Sequence, residues 1–411
     1  MTSDPFNDVV SSQYERWMYP EPIVDLPLWL QENWQWFDPS HAHRLFWPDR
    51  DYKPDLDILI AGCGTNQAAV FAYKNPRSSV VAIDVSQPSL GHHKQLKEMY
   101  GLKNLELHHL PIEAIASLNR RFDLIVSTGV LHHLEEPEQG LRALASCLQP
   151  EGVAAIMLYS KYGRIGVEML QGVFRELDLH QNEASVLMVR EALALLPQDH
   201  PVMAYLAVAN DLQCDAGLVD TFLHGRDRSY SITDCLALVD AVGLRFQDLF
   251  FKAPYSPPAF SNRAFHAVIA SLPDQQRWSL MERINHRNGC HFFSACRADR
   301  PEKNYRIDFS GAAAMDYVPG WRYRCECNGT QVISPNGSIN LDPVQLALLQ
   351  LVDGHRTIRE IAGDAVECGV LPKRGQADLE QLALTVLQAF WQLDTLSIGL
   401  ERTEAIHSKG V

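Results

Sequence analysis

Three groups of residues in this 411-residue chain have the types and spacing that chemistry needs. The first is Gly62-Cys63-Gly64-Thr65-Asn66, which follows the apolar run Ile58-Leu59-Ile60-Ala61. Such a run reads as a buried parallel strand. Glycine then lets the backbone turn sharply and lets a ligand approach with no Cβ in the way. The second is Asp84, at the tip of the apolar run Val80-Val81-Ala82-Ile83. An acidic residue there can accept hydrogen bonds from ribose hydroxyls. The third is Thr128-Gly129-Val130-Leu131-His132-His133-Leu134, after the strand-like run Phe122 to Ser127. Histidine titrates near neutral pH and suits a general base for a phenol, hydroxyl or amine, which makes His132 and His133 the catalytic candidates. Together the three groups imply a nucleoside-containing cofactor at the carboxyl ends of an open α/β sheet.

The glycines alone do not identify that cofactor. A dinucleotide fingerprint needs G-x-G-x-x-G, and Gln67 stands at the third glycine position. The stretch beyond His133 is more specific. It opens as a helix with Leu141, Leu144, Ala145 and Leu148 at i, i+3, i+4, i+7, then runs through Gln149-Pro150-Glu151-Gly152 into a further strand from Val153 to Tyr159. In order and spacing, residues 55–160 resemble the class I S-adenosylmethionine (SAM)-dependent methyltransferases. The phrases GVLHHL and LQPEG carry the likeness, together with the AGCGT loop and Met18-Tyr19-Pro20-Glu21-Pro22. They are similar to a bacterial group often fused to tetratricopeptide repeats, although no 34-residue repeat occurs here.

The resemblance implies SAM as the cofactor. It places Ala61, Gly62, Gly64, Thr65 and Asn66 at the methionine end of the donor, with Thr65 and Asn66 donating to its carboxylate. It puts Asp84 and Val85 at the ribose, Thr128 and Gly129 beside the sulfonium, and Pro111, Ile112 and Glu113 near the adenine. The chain departs from the family pattern at three places. Ile60-Ala61 stands where an acidic residue is usual, Asn66 replaces the third loop glycine, and Leu110-Pro111-Ile112 replaces the acidic residue after the third strand.

These residues need a frame. The alternation of strands and helices implies a parallel sheet with helices on both faces. The expected fold is α/β: a Rossmann-like seven-stranded methyltransferase sheet with helical cap insertions, plus a small α+β winged-helix-like domain. Residues 1–54, rich in aromatics and proline, read as an amino-terminal lid. Residues 55–300 form the methyltransferase domain, interrupted by insertions at 161–228 and 253–288 that read as the substrate cap. The segment 291–297 is expected as the last, antiparallel edge strand. In 301–411, a hairpin with the turn Asn336-Gly337 and three helices read as an accessory module similar to peptide-binding winged helices. Candidate substrate contacts are Tyr19 in the lid, Tyr159, Tyr162 and Arg164 after the fifth strand, and His224 and Tyr230 after the first insertion. His92-His93 and His108-His109 read as structural.

Composition narrows the function. The net charge is −14, and residues 301–411 hold ten Lys/Arg against fourteen Asp/Glu, which disfavours nucleic-acid partners. The Asn-Pro-Pro-aromatic motif of exocyclic base-amine methylation is absent. Nine cysteines without a C-x-x-C pair read as reduced thiols in a cytoplasmic protein, with no metal site. No apolar run reaches membrane-spanning length, and Thr2, Ser3 and Asp4 do not open a signal peptide. The expectation is methyl transfer to an oxygen or nitrogen of a small metabolite or a peptide side chain; a SAM-binding protein without turnover is the alternative.

Overall fold

The structure, a computed structural model, describes residues 4–367 and 375–401. Thr2, Ser3 and the reach of the accessory region to residue 411 lie outside the described residues. Seven strands form the main sheet: β1 (Asp57–Ala61), β2 (Ser79–Asp84), β3 (Leu105–His109), β4 (Phe122–Thr128), β5 (Leu148–Tyr159), β6 (Leu244–Leu249) and β7 (Cys290–Arg297). Their order is β3-β2-β1-β4-β5-β7-β6. The first five in that order pair in parallel. β7 runs antiparallel to both of its neighbours.

The segment 291–297 is antiparallel as expected, but it does not lie at the edge. β7 is interior because Phe293, Ser294, Ala295 and Cys296 are all buried, so neither face is polar. β6 takes the edge, and its Arg245, Gln247 and Asp248 tolerate it.

Helices precede, connect and follow these strands. Ahead of β1 lie α1 (Val9–Arg16), α2 (Leu26–Glu32) and α3 (Pro39–Phe46). Between strands come α4 (Gln67–Lys74), α5 (Gln87–Tyr100) and α6 (Pro137–Ser146). The first insertion holds α7 (Ile165–Glu176), α8 (Glu183–Leu195), α9 (Met203–Leu206) and α10 (Asp215–Phe222), and α11 (Ile232–Ala241) leads into β6. A 3-10 turn at Asn210–Gln213 follows α9. After β6 come α12 (Ala264–Ala270) and α13 (Asp274–Ile284), and near the carboxyl end α14 (Pro343–Leu349), α15 (Ile358–Glu367) and α16 (Gln376–Gln392). No helix among the described residues is long and apolar enough to cross a membrane.

The chain folds as two compact units. The first comprises residues 1–38, 54–249 and 278–299. Its insertion carries a core of its own, with Val167, Leu170, Phe174, Val186, Leu218 and Phe222 buried together. In the same unit, Glu282 accepts a hydrogen bond from Ile232 N (2.9 Å) and is 3% exposed. Burial, against that N–H, lifts its carboxyl from 4.5 to about 7. The folded protein therefore keeps this proton over a range where the unfolded chain has lost it. The corresponding stability is present below pH 4.5 and is lost as pH rises to 7. Glu282→Gln does not titrate, so its advantage over the parent should grow across that window by up to about 3 kcal/mol. Urea unfolding of both proteins at pH 5 and pH 8 checks this, and a gap independent of pH would contradict it.

The second unit comprises residues 39–53, 250–277 and 300–411. Part of the expected lid and residues 253–277 of the second insertion thus belong with the accessory region. The bonds that hold them are specific. Arg44 Nη2 donates to Gly354 O (2.9 Å), and Leu400 N donates to Pro48 O (2.7 Å). The buried Asp394 accepts from Lys252 N and Ala253 N and pairs with Arg322 (2.9 Å). Within this unit β8 (Val318–Trp321) pairs with β12 (Leu396–Gly399), while β9 (Glu326–Asn328), β10 (Gln331–Ser334) and β11 (Gly337–Asn340) form a meander. The meander turns at Pro335-Asn336, where Gly337 adopts φ +120°. Helix α14 begins on a reciprocal cap between Asp342 and Gln345.

Candidate active site

The donor loop leaves β1 at the buried Ala61 and turns through two left-handed glycines, Gly62 at φ +79° and Gly64 at φ +50°. Gly62 N and Cys63 N both donate to Ile83 O, which binds the loop to β2. A Cβ on Gly62 would collide with Val130 Cγ2, and one on Gly64 would lie 2.9 Å from Tyr19 O. The loop is therefore closed in on two sides. Asp84, at the tip of β2, accepts from Gly64 N (2.9 Å) through one carboxylate oxygen and from Ser86 N (2.9 Å) through the other. The Val85 N–H and the Cys63 thiol also donate to this carboxylate. Burial raises its carboxyl, and these N–H bonds oppose the shift.

The remaining expected cofactor residues divide. Asn66 stands at the N-cap position of α4 without a capping side-chain bond, and its Oδ1 accepts from Gln35 Nε2 (3.3 Å), which leaves its amide N–H2 to donate. Thr65 does not keep that capacity. Its buried hydroxyl donates to Pro20 O, so the only proton it could give a ligand carboxylate already ties the loop to the amino-terminal strap. Val85 O accepts from His109 Nε2 (2.9 Å). Pro111 and Ile112 are buried where a 3-10 turn begins, while Glu113 is exposed. Thr128 ends β4 with a buried hydroxyl that has no partner, and Gly129 comes next at φ +73°. The glycine cradle, the two-sided Asp84 and the orphaned Thr128 hydroxyl fit a SAM-like donor.

Beyond the tip of β4 lies a buried polar cage. The residues 131–133 form a 3-10 turn that presents His132 and His133. His132 stacks on Tyr159 (3.9 Å), and His133 stacks on His224 (3.8 Å). Asp220, 1% exposed on α10, accepts from Tyr14 Oη (2.7 Å) and Tyr159 Oη (3.2 Å). Tyr19 Oη donates to Asp211 Oδ2 (2.6 Å). The fully buried Arg164 bonds Asp227 Oδ2 (2.9 Å) and Tyr205 Oη (2.7 Å) and lies over the Tyr159 ring (3.6 Å). Burial first, and the charge of Asp220 second, raise the hydroxyls of Tyr14, Tyr19 and Tyr159, so all three stay protonated.

Hydrogen-bond partners assign the imidazole tautomers. Tyr159 N donates to His132 Nδ1 (3.3 Å), so neutral His132 carries its proton on Nε2, which is buried without a partner. His133 Nδ1 faces Arg226 O (2.9 Å), a pure acceptor, so its proton is on Nδ1 and the lone pair is on Nε2. Arg226 N donates to His224 Nδ1 (3.0 Å), so His224 carries Nε2–H. Burial, then the neighbouring His133, pushes His132 and His224 well below the usual histidine range. Both are neutral, and only His133 offers a lone pair.

The same assignment bears on metals. Ring nitrogens of His133 and His224 and a carboxylate oxygen of Asp220 lie within 4.8 Å of one another, as do atoms of His132, His133 and Asp227. A metal takes the imidazole lone pair. In each trio one histidine has already given its lone pair to a backbone N–H, so each has two available ligands rather than three.

Four expected substrate residues, Tyr19, Tyr159, Arg164 and His224, meet in this cage. Tyr230 lies beside it, where its backbone bridges Ser160 and its carbonyl accepts from His291 Nε2 (2.7 Å). Tyr162 is a half-buried turn residue outside the cage. Tyr14, Asp211, Asp220 and Asp227 were not singled out in sequence. The usable signal was Asp220, a carboxylate within the largely apolar run Gly217-Leu218-Val219-Asp220-Thr221-Phe222.

Residues 59–154 match the family described as "Methyltransferase domain". An uncharacterized protein of Synechococcus sp. is 29% identical over 295 residues, which span 69% of this chain and 70% of that protein. The tRNA 5-carboxymethoxyuridine methyltransferase of Escherichia coli is 31% identical over 121 residues, covering 29% of this chain and 46% of that enzyme. The solved structure of PKMT2 from Rickettsia typhi in complex with AdoHcy superposes with a TM-score of 0.62 at 16% identity, over 88% of this chain and 75% of that one. Its likeness is one of fold.

Proposed function

We propose that this chain, whose residues 59–154 match a methyltransferase domain, is a class I SAM-dependent methyltransferase that transfers the methyl group to an acceptor held in the buried cage between the tip of β4 and α10. SAM supplies an electrophilic methyl carbon when bound. The loop at Gly62 and Gly64, Asp84 and the Asn66 amide would hold the donor. Holding nucleophile and methyl carbon in line can account for roughly 7–11 kcal/mol of barrier. An acceptor that carries a proton must also lose it. His133 is oriented to take that proton on Nε2, with Nδ1–H anchored on Arg226 O. His132 has the opposite polarity and would donate Nε2–H to the acceptor or its solvent.

The observation that carries this reading is the fixed polarity of the two adjacent histidines next to the donor loop. A cage sealed by Tyr14 and Tyr19 suits a single side chain or a small molecule better than a nucleobase within a polyanion, since this chain is acidic overall. The test is incubation of the full chain with methyl-labelled SAM and a size-fractionated cell extract. Label that protease releases from the macromolecular fraction identifies a polypeptide acceptor, and label in the low-mass fraction identifies a metabolite. Calorimetry showing S-adenosylhomocysteine (SAH) binding without label in any fraction would favour a SAM-binding protein without turnover.

A further inference from the structure

On the methyltransferase reading just given, we infer that the acceptor is an alkylammonium group, recognised by the carboxylates of Asp220 and Asp211 within the Tyr14, Tyr19 and Tyr159 cage. The charge inventory of the cage carries the inference. Carboxylates are almost never fully buried unless paired. Asp220 is 1% exposed, yet its hydrogen bonds come only from two neutral hydroxyls. Asp211, which is half-buried, receives its side-chain bond from a hydroxyl, that of Tyr19. The arginines nearby are already committed, Arg164 to Asp227 (2.9 Å) and Arg226 to Asp8 (2.9 Å). Asp220 is therefore left without an arginine or lysine, and the ionisable base beside it is His133, whose charge would favour its ionised form.

A ligand cation resolves this, and the surrounding groups suit one. Tyrosine rings attract ammonium groups through their negative faces, the more so where water is excluded. Burial lifts the Asp220 carboxyl above its ordinary range, and an incoming cation would hold it ionised. Two further buried atoms lack a hydrogen bond, the donor His132 Nε2 and the acceptor Asp227 Oδ1, the latter 3.8 Å from His133 Nδ1. Such a donor and acceptor match a nitrogen that must be bonded in both its protonated and free-base forms. A carboxylate or phosphate acceptor would instead face the carboxylates of Asp220 and Asp211.

The chemistry balances. The ammonium first gives one proton to His133 Nε2. The neutral amine then forms the N–C bond as the C–S bond breaks, leaving a methylammonium product and neutral SAH. The positive charge passes from sulfur to nitrogen, and His133 releases its proton to solvent.

The test uses the full chain. SAH is titrated first, and failure of the parent protein to bind it would undo the methyltransferase reading itself. The SAH-loaded protein is then titrated calorimetrically with n-butylamine, Nα-acetyl-lysine methylamide and butyrate. Both amines should bind and butyrate should not. Asp220→Asn, which keeps an acceptor for Tyr14, should weaken amine binding at least about tenfold with SAH affinity unchanged; Asp211→Asn, measured alongside, guards against a folding defect in the first. Butyrate binding as well as the amines, or amine affinity unchanged in both variants, would overturn the inference. In the labelled extract, base-stable label recovered as methyl-lysine marks a polypeptide source and base-stable label on low-mass amines marks a metabolite. A base-labile methyl ester would overturn it.

Discussion

His133→Ala should lower kcat by about 10²–10⁴-fold, the usual range for a positioned proton acceptor, with little change in SAH affinity. The expectation rests on which nitrogens are committed. His132 and His224 each accept a backbone N–H on Nδ1 and so present N–H, not a lone pair, toward the cage. His133 alone is reversed by Arg226 O. His132→Ala should therefore have the smaller effect, through a lost donor and lost stacking on Tyr159, and His133→Gln should not restore turnover. Steady-state kinetics with calorimetric SAH binding checks this. Parent-like turnover in His133→Ala would remove the proton-acceptor role and leave the histidine as a packing partner of His224.

Gly62→Ala should disable the donor loop. A left-handed residue with a Cβ costs about 1–2 kcal/mol. The Cβ at Gly62 also runs into the Val130 side chain, and overpacking adds about 1–3 kcal/mol. The loop cannot relieve this by moving, since Gly62 N and Cys63 N are both held by Ile83 O. SAH affinity should fall more than about tenfold if about 1.4 kcal/mol of that strain falls on the bound loop. Val130→Ala combined with Gly62→Ala should recover the steric part and leave the conformational part, a coupling that a double-mutant cycle isolates. Full additivity of the two substitutions would show that Val130 is not the obstacle.

Much of the donor half was legible in the sequence because its signals are local. The apolar runs gave β1, β2, β4 and β5, and the glycines and Asp84 fall at the strand tips where a ligand would approach. The edge placement of 291–297 failed because strand order is set by pairing between distant segments. The periodicity of HFFSACR is that of a buried strand and does not say which neighbours bury it. The bond of Thr65 was illegible for a related reason. Its hydroxyl is spent on Pro20, 45 residues away in sequence. The acceptor cage was half legible. Tyr159, Arg164 and His224 stood near motif residues, whereas Tyr14 and Asp220 are partners across 206 residues. Neither residue has a local pattern that names the other.

The segment from Asp8 to Pro20 touches both halves of the chemistry. It meets the donor loop through the carbonyls of Tyr19 and Pro20 and the acceptor cage through Tyr14 and Tyr19. One element thus answers to two ligands, and linkage requires that whatever donor binding does to acceptor affinity, acceptor binding does equally to donor affinity. The Arg16–Glu183 pair at the carboxyl end of α1 ties this element to the first insertion, so Arg16→Ala should change donor and acceptor affinities together.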